Sequence, residues 1–401
     1  MKRIAFVIAA AVAAGCAPAP VTIVASPSPS VRETVTPTAS SSATADPGPL
    51  NVARAVGTIP RSFHYFDTGQ GESYRILLFD EEKTEPPVVV LTSGRPPAPP
   101  GPDVRSEAFT VSADGRVLVL MRRLSEQETT YYAIRPETGE IRALLHGPDL
   151  GPPVIAPDGQ RVAYARTSTD PAINGVWVAT IGGGTPTPTR LVNDMPQRVG
   201  SPPQPVAWSA DGTWLAIAVG QSDSGAEIAV VDPSAGETRF SATTNEFVGG
   251  RARVLGPGYA VDWRGGEAAV LVTSTRTLFG GQTEIYTVEV ATGARRSLYR
   301  PSGDVVLGAA TFDPALDRYA TTEHPIVGGL TAPTAVWVRR LDGSATKVAE
   351  SPFLSPPWWS RDGTKLFSIT GGDDSNGSIK DLLGTGSTPF CVRGGTPPRC
   401  T

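Results

Sequence analysis

"PVAWSADGTWLAIAVG", residues 205–220, is an apolar run, a polar turn ending in Asp211-Gly212 and a second apolar run. Asp-Gly supplies a positive φ without a Cβ clash, as a tight antiparallel turn requires. The strand after it is apolar on both faces, with Leu215, Ile217 and Val219 on one side and Trp214, Ala216 and Ala218 on the other. A strand with one wet face would alternate apolar and polar residues. This strand therefore needs cover on both sides.

The form recurs. "FTVSADGRVLVLM" (109–121), "PVIAPDGQRVAYA" (153–165) and "PWWSRDGTKLFSI" (357–369) repeat it, and "AVDWRGGEAAVLV" (260–272) and "ATFDPALDRYATT" (310–322) are weaker copies. The turn glycines, with Asp317 at the matching place in one copy, are spaced by 44, 53, 54, 51 and 46 residues. A period near 50 is the mark of a repeat architecture. Alternating hairpins follow the copies at 129–145, 174–192, 226–240, 283–299 and 334–349, and a sixth, at 73–91, precedes them all. The balance predicts an all-β, six-bladed β-propeller of four-stranded antiparallel blades, its ring closed by N-terminal strands that complete the last blade. "SIKDLL" (378–383) is the rival for that closing slot. Trp208, Trp263 and Trp359 share one repeat phase and Trp177 and Trp337 another, which predicts packing between blades.

The phrase "WSADG" with a "TG" hairpin after it resembles the TolB-type six-bladed propellers, a WD-like repeat group of bacterial envelope proteins, over about residues 60–370. The resemblance implies a scaffold in the cell envelope and carries no particular chemistry.

The chain ends specify a location. "MKRIAFVIAAAVAAGC" (1–16) has a basic start and an apolar run too short to span a bilayer at roughly 20 residues. Its "AAGC" resembles the lipobox of bacterial lipoproteins, which implies cleavage after residue 15 and lipidation of Cys16; the alternative is an ordinary secretory signal. Multiple acyl chains hold a soluble domain on a membrane where one does not. Residues 16–49 then read as the lipidated cysteine and a Pro/Ser/Thr-rich stalk with little to bury. Residues 50–375 are assigned to the propeller and 376–401 to a C-terminal tail. In an exported chain, Cys391 and Cys400 in "CVRGGTPPRC" read as a disulfide closing a small loop.

Composition excludes several functions. Removing Lys2 and Arg3 takes the formal charge from −4 to −6, and the basic residues are dispersed, so no nucleic-acid footprint exists. No G-x-S-x-G, H-E-x-x-H or Walker motif occurs. His64, His146 and His324 are scattered without ligand spacing, and "GGDDSNGS" (371–378) lacks a calcium-loop register, so neither a metal nor a cofactor is expected. Pro-rich links at 95–102, 151–153, 202–205 and 352–357 precede inner strands and surround one mouth of the ring. Loops on a rigid scaffold carry binding residues. Arg105, Asp149, Arg198, Gln204, Tyr259, Asp304 and Trp358 are the candidates at that mouth. The expected function is an extracytoplasmic, membrane-anchored lipoprotein whose propeller binds an envelope protein or cell-wall component. The alternative is a lactonase- or sugar-lyase-like propeller enzyme acting on a small molecule or glycan, with a metal in the channel.

Overall fold

The structure is a computed structural model. It describes Leu50–Cys400 apart from residues 53–54, 71–72, 95–105, 126–127, 169, 171, 183–185, 187, 196–202, 223–224, 242–245, 259, 265–268, 275–283, 303–304, 316, 326–332, 353, 372–375, 385, 392–394 and 397–398. The regular elements of the described residues are all strands.

The N-terminal strands β1 (Leu50–Val52), β2 (Phe63–Gln70), β3 (Ser73–Asp80) and β4 (Val88–Gly94) form a sheet in the order β1-β4-β3-β2. Six four-stranded blades follow, one per repeat. Blade I is β5 (Ser106–Val111), β6 (Leu118–Ser125), β7 (Glu128–Arg135) and β8 (Glu140–Gly147). Blade II is β9 (Val154–Ile155), β10 (Arg161–Arg166), β11 (Gly175–Thr180) and β12 (Thr189–Met195). Blade III uses β13 (Gln204–Trp208), β14 (Leu215–Ser222), β15 (Gly225–Val231) and, after the excursion β16 (Thr238–Ser241) and β17 (Glu246–Val248), β18 (Ala252–Gly258). Blade IV is β19 (Ala260–Arg264), β20 (Ala269–Ser274), β21 (Glu284–Glu289) and β22 (Arg295–Tyr299). Blade V is β23 (Val305–Phe312), β24 (Arg318–Pro325), β25 (Thr334–Arg340) and β26 (Ala345–Ser351). Blade VI is β27 (Trp358–Trp359), β28 (Leu366–Gly371), β29 (Asn376–Asp381) and β30 (Ser387–Cys391). A short hairpin, β31 (Gly395–Thr396) and β32 (Arg399–Cys400), follows.

The core is distributed between sheets. One apolar cluster joins each consecutive pair: Val119, Tyr131 and Tyr164 between blades I and II, for example, and Ile217, Val192 and Trp208 between II and III. Clusters also join the N-terminal sheet to blade I through Ile76 and Leu120, and to blade VI through Phe79 and Phe367. The ring is thereby closed, and the both-faces-apolar strands are covered as their sequences demand.

The repeated turn has one geometry. In blade III the Ser209 hydroxyl donates to Asp211 at 2.6 Å and accepts the Trp214 N–H at 2.9 Å, while the Thr213 N–H donates to Asp211 at 3.0 Å. Ser112 with Asp114 and Ser360 with Asp362 repeat the pattern. Gly115, Gly159, Gly212 and Gly363 all adopt φ near +70°.

A second repeated device clips neighbouring blades. The Trp208 indole donates to the Val154 carbonyl of the preceding blade at 3.0 Å, and Arg161 of that blade lies 4.7 Å over its ring while donating to the Gly212 carbonyl at 3.1 Å. Trp359 and Arg318 repeat this between blades V and VI, with Trp359 donating to Thr311 and Arg318 to Gly363. Trp208, Trp263, Trp359 and Trp177 lie in or against the clusters between sheets, as expected, whereas Trp337 belongs to none of these clusters.

Three expectations are corrected. The N-terminal strands do not complete the last blade: blade VI finds its outer strands in β29 and β30, so 376–391 belong to the propeller, and "SIKDLL" supplies most of β29. The hairpin at 73–91 forms as β3–β4 but in its own sheet, wedged between blades VI and I. Its innermost strand, β2, starts at the end of the ring where the other inner strands finish, since Tyr65 donates to the turn carbonyl of Gly115 and the Arg361 N–H to Ser62. The hairpin at 226–240 does not form. β15 pairs with β18, while β16 lies parallel on β12 of blade II, held by the Arg190–Glu237 ion pair at 2.9 Å.

The clip predicts an energetic coupling. Arg161→Ala and Trp208→Phe each cost about 1–2 kcal/mol in urea unfolding, and the double variant costs about 0.5–1 kcal/mol less than their sum. Strict additivity overturns the clip.

Candidate functional site

The short turns bring the ends of the inner strands together at one mouth of the ring. Register places Asp262, Thr311 and Trp358 at one repeat position, each immediately before the packing aromatic Trp263, Phe312 or Trp359. With Phe63 and His64 from the start of β2, they line an open cavity of about 550 Å³. Five Phe or Trp residues and His64 contribute aromatic rings to the lining, with Glu81, Asp262, Asp313 and Arg361 among the polar residues interspersed.

The centre of the site is a stack. The His64 ring lies on Trp358, centroids 4.0 Å apart and planes 13° from parallel, and Phe367 also stacks with Trp358, centroids 5.6 Å apart. The Trp358 indole donates to Glu81 at 3.1 Å. Glu81 also accepts from the Ser62 hydroxyl at 2.5 Å and the Arg361 backbone N–H at 3.3 Å, and its carbonyl accepts from Lys365 at 3.0 Å. These contacts fasten blade VI to the N-terminal sheet. Across the mouth, Asp262 accepts the N–H groups of Phe312 and Trp263, each at 2.9 Å. Asp313 pairs with Arg318 at 2.7 Å.

Burial sets the charges. It pushes the carboxyls of Glu81 and Asp262 above the ordinary range, against the hydrogen bonds they accept, which act in the opposite direction. Burial lowers the His64 imidazole to about 4, so the ring is neutral at physiological pH. Among the described residues no group of three His, Cys, Asp or Glu side chains converges as a metal centre requires.

Of the seven candidates, Arg105, Arg198, Tyr259 and Asp304 lie outside the described residues. Asp149 holds a positive φ of 64° in the turn after β8, and its carbonyl accepts the Thr167 N–H at 3.0 Å. Gln204 starts β13, and its side-chain oxygen abuts Gly151 so closely that a Cβ there would lie 2.9 Å away. Both lie at the Pro-rich crossings, at the opposite strand ends from the cavity. Of the three described candidates only Trp358 reaches the cavity, and it is half-buried in the seam of the ring rather than exposed on a rim. His64, Glu81 and Asp262 were missed. Asp262 had a signal: "VDWR" puts a carboxylate where "VAWS" has Ala207, a departure from the repeat that packing does not require.

No protein-family model matches the chain, and no curated protein does. Solved structures are similar in fold. An oligogalacturonate lyase from Vibrio parahaemolyticus aligns at a TM-score of 0.53 and 12% identity over 88% of both chains. A prolyl endopeptidase aligns at 0.53 and 14% over 82% of this chain but 50% of its own, so the chain spans about half the length of that enzyme. TolB from Acinetobacter baumannii aligns at 0.45 and 14%, over 84% of this chain and 64% of its own. The likenesses above 0.5 establish the propeller fold.

The neutral His64 makes stability depend on pH. Its folded-state value lies below the unfolded one, so its contribution is full above about 6.5 and is lost as pH falls towards 4. The stability difference between wild type and His64→Phe therefore shifts against the wild type by up to about 3 kcal/mol across that window. Glu81 and Asp262 titrate in both proteins and largely cancel in the difference. A difference independent of pH overturns the assignment.

Proposed function

We propose that the chain is a membrane-anchored extracytoplasmic lipoprotein whose propeller binds an envelope protein or cell-wall component. The supporting observation is the aromatic cavity at the mouth where the inner strands end. It has the size and the mixed apolar and polar lining of a ligand site, on a rigid ring. A lining of stacked rings and carboxylates already hydrogen-bonded within the protein suits recognition better than turnover. Anchoring rests on the cysteine at the end of the apolar leader, and the stalk of residues 17–49 would let the domain stand off the membrane by up to about 100 Å if fully extended. The pairing of Cys391 with Cys400 belongs to the same exported setting; β30 ends at Cys391 and β32 at Cys400, and their side chains lie outside the described residues.

Two measurements test the reading. Cys16→Ser moves the protein from the membrane to the soluble fraction; unchanged membrane association removes the anchor. A photo-crosslinker at Ala113, exposed beside the cavity, captures a discrete partner in cells, while one at Thr167, exposed at the crossing end, does not. Equal capture at both positions, or capture at Thr167 alone, removes the mouth as the binding face.

A further inference from the structure

We propose that the mouth is a cation site, taking a methylated ammonium group through its aromatic rings and two carboxylates that lack a counter-ion. The inference rests on the mouth being the binding face and names the chemistry of its ligand.

The charges of the lining decide the sign of that ligand. Its described residues include the carboxylates Glu81, Asp262 and Asp313 and one cationic side chain, Arg361. Asp313 is balanced by Arg318 at 2.7 Å. Arg361 commits its guanidinium elsewhere: Nη1 donates to the Arg61 carbonyl at 3.1 Å, and Arg61 lines the neighbouring seam pocket rather than the mouth. Lys365 reaches Glu81 at its backbone carbonyl, not at its carboxylate. Glu81 and Asp262 remain, and every donor they accept from is neutral. Glu81 takes the Ser62 hydroxyl, the Trp358 indole and the Arg361 backbone N–H. Asp262 takes the N–H groups of Phe312 and Trp263 and the Thr311 side chain. A desolvated carboxylate without a counter-charge is costly. A cation in the mouth supplies that counter-charge.

The kind of cation follows from what those carboxylates have left to give. A carboxylate offers about four lone-pair positions, and three donors already occupy each of these. A primary ammonium brings three N–H groups and finds too few acceptors. A methylated ammonium has no such demand, and aromatic rings attract it through their faces. The rings are in place: Phe63, His64, Trp263 and Trp358 line the mouth, each only half-buried. Aromatic walls alone accept any apolar group, and a carboxylate alone accepts any cation. Their combination selects a cation with an apolar surface.

The test is calorimetric titration of the full protein with three probes. They are choline, its uncharged carbon isostere with a tert-butyl group in place of the trimethylammonium, and ethanolamine, which carries a primary ammonium. Choline binds about tenfold more tightly than the isostere and about fivefold more tightly than ethanolamine. Asp262→Asn and Glu81→Gln each weaken choline roughly fivefold and leave the isostere unchanged. Phe63→Leu, which keeps an apolar side chain but removes a ring, weakens choline roughly threefold. Equal affinity of wild type for choline and the isostere overturns the cation site while leaving the mouth as a binding face. Tighter binding of ethanolamine than of choline overturns the methylated group. Failure of all three probes to bind overturns the inference without touching the crosslinking result. If choline binds as expected, its effect on crosslinking at Ala113 identifies the source of the group. Loss of capture in excess choline assigns the group to the captured partner, and undisturbed capture assigns it to a free solute.

Discussion

Every blade contains strands that are apolar on both faces, and no such strand is stable while one face is wet. Leu215 and Ile217 pack towards blade II, and Ala216, between them, packs towards blade IV. This constraint makes the ring obligatory. No sheet supplies its own core, so stability resides in seven interfaces rather than seven sheets. The Asp-Gly turns and the Arg–Trp clips are details that set the spacing of the sheets once mutual cover is required.

The seam between blade VI and the N-terminal sheet solves the same problem by other means. Where Arg161 and Arg318 grip a turn glycine of the next blade, Lys365, at the equivalent register, grips the Glu81 carbonyl. The N-terminal sheet has no repeat turn to offer at this position, because β2 runs opposite to the other inner strands. A buried carboxylate takes its place, satisfied by hydroxyl, indole and backbone donors. That substitution brings polar groups and His64 to one sector of the mouth, and the chemistry of the site follows from the way the ring is joined.

Much of this was legible in the sequence. Asp-Gly spacing and two-faced strands specify the blades, and the phase of Trp208 and Trp359 specifies their packing. The closing sheet was not legible, because β2 carries no Asp-Gly turn and its partner hairpin at 73–91 looks like any other outer hairpin. The outer pair β29–β30 was hidden by its turn, "LLGTG", which lacks the pattern of the others. The site was mostly hidden for a physical reason. His64 and Glu81 lie about 300 residues from Trp358 and Arg361 in the chain, and only ring closure brings them together. Proline-rich crossings drew attention to the opposite mouth because irregular sequence marks loops, whereas this cavity is made by the regular ends of strands.

The excursion β16–β17 gives the ring an internal asymmetry. Among the described residues, blades elsewhere meet through side chains and scattered polar contacts, but here a segment of blade III is hydrogen-bonded into the sheet of blade II, and Phe247 of β17 packs into the cluster between them. Blade II cannot lose its outer edge without disturbing the connection that completes blade III. In the exchange of amide hydrogens these two blades therefore form a single opening unit, larger than any one repeat. A propeller built from six like modules thus has fewer than six independent parts.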